Sequence, residues 1–170
     1  MKIQESFINL ITDYLKARGI YPRTLGVTDY NMRAPLNAIR GLMLESNGII
    51  SIAFRRTYIE KGQVNFQSEI SDRKSIDVSG QWITSPYCQI EPAMAFQLGL
   101  PMLILREKGV LSEGILQPGV AGIYLPEFDL DRGFAEYLDS LEWKQLIGQW
   151  ESYVRQVAEN KGIPPRFYNN

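Results

Sequence analysis

"GIISIAF", residues 48–54, is a short and nearly continuous apolar run with three isoleucines. A central parallel strand, covered by helices on both faces, has this composition. Two further runs read the same way: "PMLILRE" at 101–107 and "VAGIYLP" at 120–126. The stretches between and around them have helical spacing. In "QESFINLITDYLKARG" (4–19), Phe7, Ile8, Ile11, Tyr14 and Leu15 share a face and Gly19 is a plausible stop. In "APLNAIRGLMLESNG" (34–48), Pro35 opens a helix whose buried stripe is Leu36, Ile39, Leu42 and Met43. "DRGFAEYLDS" and "LEWKQLIGQWESYVRQVAEN" close the chain as helices. The second carries Leu141, Leu146, Ile147, Trp150, Tyr153, Val154 and Val157 at helical spacing. That face packs on its own sheet or serves a homodimer. Strands alternating with helices predict an α/β fold with a mostly parallel sheet and a helical C-terminus, in one domain over 1–170.

Sheets of this kind usually open on a strand. Here only "MKI" precedes the first helix. The first strand is therefore expected to be missing, or supplied by something else, with "RTLGV" (23–27) a candidate edge strand. Residues 55–81, "RRTYIEKGQVNFQSEISDRKSIDVSGQ", lose periodicity. A polar segment this long in a small domain is usually functional or mobile, and a small hairpin is expected in it.

Composition narrows the chemistry. The 170 residues are 45% hydrophobic and 22% charged, with a formal net charge of -1, as in ordinary globular domains. Without a polybasic run, a nucleic-acid or membrane partner has no electrostatic support. One cysteine, Cys88, allows no internal disulfide, and no leader segment precedes the first helix; a cytoplasmic location is expected. The longest apolar run, "LGLPMLIL", is far shorter than the ~20 residues of a membrane helix. The chain has no histidine, which excludes histidine bases, Ser-His-Asp triads and histidine metal sites. Carboxylates, tyrosines, lysine or Cys88 must carry any acid-base or nucleophilic step.

Open parallel sheets bind ligands beyond the carboxyl ends of their strands. Two stretches fall there, and a third candidate lies just before the helix opened by Pro35. "AFRRTY" offers Arg55 and Arg56, which either meet a phosphate or carboxylate or are solvated loop arginines. "TSPYCQIEPAMAFQLGLPMLIL" (84–105) reads as a turn, a helix and a buried strand. Thr84 or Ser85 would cap that helix, and Pro92 would shift its start or kink it. Glu91 lies within about two turns of its N-terminus, where the dipole favours an anion. It is either an electrostatic helix-end residue or the centre of a pocket. A carboxylate in such a pocket can hold a ribose hydroxyl, or attack or stabilise the carbon of a cleaving glycosidic bond. Trp82 and Tyr87 flank the turn and either stack on a ring or cover the core. Cys88 reads best as a small core thiol. The third stretch, "TLGVTDYNMRAP" (24–35), holds Asp29, Tyr30 and Arg33, in a binding loop or an ordinary polar turn.

The element "SPYCQIEPAMAFQLGLPMLIL" resembles the TIR-like and nucleoside 2-deoxyribosyltransferase-like superfamily. The likeness rests on Ser-x-aromatic-Cys-x-x-Glu, small residues, Gly-x-Pro and an apolar strand. It extends over roughly 5–128, including "GIYPRTLGVTDYNMRAPLNAIRGLMLESNGIISIAF". It implies a flavodoxin-like three-layer α/β/α fold, and cleavage of an N-glycosidic bond in NAD or a nucleoside through Glu91. Ser85, Tyr87 and Cys88 match the residues before that glutamate. Pro92 departs from the pattern of the TIR group, as does the missing first strand. The expected ligand is a nucleotide or nucleoside. Arg33, Arg55 or Arg56 would meet phosphate, Asp29 and Tyr30 would orient sugar hydroxyls, and Trp82 and Tyr87 would stack on the base. No metal or other cofactor is implied. A non-catalytic sensing or self-assembly module of the same fold is the alternative.

Overall fold

The computed structural model describes residues 3–70 and 73–159. It is a mixed α/β structure built on a parallel sheet of three strands. These are β1 (Ile49–Ala53), β6 (Met102–Glu107) and β7 (Glu127–Phe128), in the order β1-β6-β7. β1 and β6 align Ile49 with Met102 through Ala53 with Arg106. β6 is buried along nearly its whole length, as a strand paired on both edges and covered on both faces should be.

Alternation of side chains along β6 feeds two cores. Leu103 and Leu105 enter one with Phe7, Ile11 and Leu15 of α1 (Ile3–Lys16) and with Trp143, Ile147, Trp150 and Val154 of α5 (Leu141–Glu159). Phe7 stacks on Phe128 at 4.7 Å in its centre. Met102 joins the other core with Ile39 and Met43 of α2 (Pro35–Leu44) and Ala95 of α3 (Tyr87–Gln97). Ile104 lies against Ala53, Val110 and Leu116 on the same side. α1 carries Glu5 in its first turn and Lys16 in its last, the arrangement its dipole favours. Pro35 opens α2 as expected. A short helix, α4 (Phe134–Asp139), leads into α5.

Several expectations are corrected. "VAGIYLP" is not a strand: Gly119 and Gly122 stand at φ 87° and 66°, which breaks extended backbone, and the third strand forms one step later at β7. "RTLGV" is a tight turn, with the amides of Val27, Thr28 and Asp29 all donating to the Thr24 carbonyl. Ile8, Leu36, Leu141 and Tyr153 are exposed, whereas Trp143 is buried. α3 runs unbroken through Pro92, which is buried within it. β1, expected to be central, pairs with β6 alone and is an edge of the sheet among the described residues. The segment after it holds two small antiparallel ladders. One is β2 (Thr57–Tyr58) with β5 (Trp82–Ile83); the other is β3 (Gln63–Val64) with β4 (Ile76–Asp77).

Among the described residues no helix is long and apolar enough to cross a membrane. On α5, Trp143, Ile147, Trp150, Val154 and Val157 are buried inside the chain, the packing on its own sheet that was one of the two expected uses of this face.

Candidate functional site

The direction of the helices fixes the site. The Gln4 side-chain amide donates to the Arg55 carbonyl at 3.3 Å, so α1 starts where β1 ends. The Arg155 guanidinium donates to the Arg18 carbonyl at 2.8 Å, so α1 finishes against the last turns of α5. Between these helices on one side and α2 and α3 on the other lies a cavity of about 570 Å³ along the free edge of β1. Ile11, Leu15 and Val154 line one wall, and Ile39, Met43 and Glu91 the other. Ile49, Ile50 and Ile52 form the floor, and residues 19–25 bound the far side. This size is ordinary for a small-ligand pocket.

Glu91 is the one member of the expected site set that lines this cavity. Burial pushes its carboxyl above the usual range. Desolvation is the cause, since burial disfavours the charged form of a carboxyl. Tyr87 stands one turn earlier on the same helix face and is 40% exposed. Ser85 does not cap α3 from the N-cap position, which Pro86 occupies. Its hydroxyl accepts from the Tyr87 amide at 3.4 Å and from the Arg56 guanidinium at 3.3 Å. Ser85, Tyr87 and Glu91 thus follow one another along the turn and first half of α3, with Arg56 bonded to Ser85.

The remaining expected residues are engaged elsewhere or stand apart. Arg55 holds the Asp131 carboxylate at 2.8 Å and the Lys108 carbonyl at 2.6 Å, and lies 3.7 Å from the buried Glu107. The Arg55 amide also donates to Glu107 at 2.8 Å. Burial raises the Glu107 carboxyl, and Arg55 opposes that shift. These contacts tie the end of β1 to the end of β6. Trp82 packs against Tyr58 at 4.9 Å, and its backbone bonds Gly109 and Leu111. Asp29 is held by Arg23 at 2.6 Å, and that bond, with one from Thr28, lowers its carboxyl. Tyr30 and Arg33 are exposed. Cys88 is a half-buried thiol raised by desolvation, donating to the Ile52 carbonyl at 3.6 Å, in keeping with a core thiol.

Arg23 and Arg155, also cavity residues, were not among the expected set. Arg23 bridges Asp29 and Glu45, the latter at 2.8 Å. Its partners stand 6 and 22 positions away, so no local pattern announces it.

No protein-family model, curated protein or solved structure matches this chain.

Proposed function

We propose that this chain is a nucleotide- or nucleoside-handling protein of flavodoxin-like, three-layer α/β/α architecture, in which Glu91 acts on an N-glycosidic bond. The observation that carries the reading is the Glu91 carboxyl, set beside Ile39, Met43 and Ile52 in the wall of a cavity, with no hydrogen-bond partner among the described residues. A partly desolvated carboxylate without a partner gains more from a positive charge developing beside it than one in bulk water does. When a glycosidic bond breaks, the base leaves with the bonding electron pair and the sugar carbon becomes cationic. Glu91 supplies the opposing charge or forms the covalent ester, and water then completes the transfer. Tyr87, exposed one turn away, offers a ring face to the base. Arg56, held by Ser85, offers a guanidinium to a phosphate. The likeness of "SPYCQIE" to the deoxyribosyltransferase-like and TIR-like proteins supports the same assignment.

The test is incubation with NAD and with a panel of nucleosides, read by chromatography for free base, for the wild type and Glu91→Gln together. Base release by the wild type that disappears in the variant is expected. Equal release by both proteins removes Glu91 from the chemistry. No release by either, with ligand binding retained, leaves a non-catalytic sensing module; the engagement of Arg55 and Asp29 in internal ion pairs favours that second reading.

A further inference from the structure

The free edge of β1 lies inside the cavity, and this combination has a use of its own. The Ile49 amide donates toward β6, and alternation turns the amides of Ser51 and Ala53 the same way. The Ile50 amide and carbonyl and the Ile52 amide therefore point away from β6, where no described strand pairs with them. Exposed edges are usually blunted by charge, proline or a bulge. This one carries isoleucines and is recessed between helices.

We propose that the cavity is an acceptor for one extended apolar segment of a partner polypeptide, which adds to β1 as a further strand. The dimensions fit: β1 has five residues, a span of about 16 Å at roughly 3.3 Å per residue. The walls fit as well. Ile11, Leu15 and Val154 face one side of the space and Ile39 and Met43 the other, with Arg23, Glu45 and Arg155 also lining it, so an occupant is apolar where it lies between those walls and polar or charged at its ends. Backbone pairing supplies affinity and the walls supply selectivity, the mode of strand addition. Glu91, without a partner, calls for one hydroxyl or amide donor on the occupant's α3 side.

A second copy of the chain fits poorly, because its own β1 is recessed in the same way behind residues 19–25. The chain's residues 160–170 carry Pro164 and Pro165 side by side. A strand that included both would set one of them against β1 without an N–H. The inference does not rest on the glycosidic reading: base release can fail while strand addition succeeds, and the reverse.

Hydrogen exchange of the full chain tests it, with the peptide Lys-Val-Ile-Thr-Ile-Val-Lys as probe. At about ten times its Kd, the peptide is expected to slow the Ile50 and Ile52 amides about tenfold. The same peptide N-methylated at alternate residues is expected to leave them unchanged. The proposal is overturned if the peptide gives no slowing at millimolar concentration, or if the N-methylated form works equally. It is also overturned if NAD protects these amides in the peptide's place, if a dimer in sedimentation already protects them, or if truncation after Glu159 alone releases them.

Discussion

At the scale of single residues, Glu91 sets burial against charge. Its carboxyl lies above the ordinary 4.5 because desolvation disfavours the anion. Between 4.5 and the raised value the folded chain keeps a proton that the unfolded chain releases. Stability falls across that window as pH rises, and the loss persists above it. Glutamine carries no charge to desolvate. Glu91→Gln is therefore expected to melt above the wild type at pH 7 and to lose that advantage as the pH is lowered past 4.5. Each tenfold gain in the carboxyl's proton affinity corresponds to about 1.4 kcal/mol, and partial exposure trims the effect. Calorimetry at pH 7 and below pH 4.5 reads the gain and its loss. A variant no more stable than the wild type at pH 7 would show that the carboxyl is well solvated. The same substitution is expected to abolish base release, so stability and activity would move in opposite directions. The motif around Glu91 was legible in the sequence, because a turn, a cysteine and a helix start are local features. Its electrostatic state was not, since the isoleucines that line the cavity with it come from 39, 49, 50 and 52. The fates of Arg55 and Asp29 were hidden for the same reason: Arg55 finds its acid partners at 107 and 131.

At the scale of elements, β1 shows how far a pattern reaches. Its composition predicted a strand covered on both faces, and helices do cover both faces. Composition says nothing about edges, because the backbone groups that pair there are the same in every residue. The third strand was misplaced because "VAGIYLP" has strand composition, but Gly122, and Gly119 just before the stretch, leave extended backbone. The junction of β1 with α5 makes a sharper point. A methyl group on Gly48 would lie 2.6 Å from the Val154 Cγ2 and 3.1 Å from the Pro101 carbonyl oxygen. The Trp150 indole donates to that same carbonyl at 3.2 Å, so the neighbours have little room to move. Gly48→Ala is expected to cost about 1–3 kcal/mol through overpacking, seen as a lower urea midpoint with an unchanged slope. Val154→Ala in the same chain should recover part of the loss, since the closest clash is with its methyl group. If Gly48→Ala is neutral, α5 does not sit this tightly over the start of β1.

At the scale of the whole molecule, stability is unevenly distributed. Two cores meet on β6, whose alternate residues feed both. The ladders β2–β5 and β3–β4 have two residues per strand, and much of their surface is exposed. The sequence announced this contrast through its loss of periodicity after residue 54, without showing which strands would pair. β6 cannot open without exposing both cores, so its amides should exchange only through global unfolding. The β3–β4 ladder touches neither core, and its amides should exchange through local opening, at least about a hundredfold faster. Native-state exchange in low urea separates the two routes. The β6 rates should steepen with denaturant as global unfolding does, whereas the ladder rates should barely respond. If both sets respond alike, the ladders belong to the same cooperative unit as the sheet. The long polar insertion would then be a structural support for the turn that presents Ser85 and Tyr87, rather than a segment free to move over the cavity.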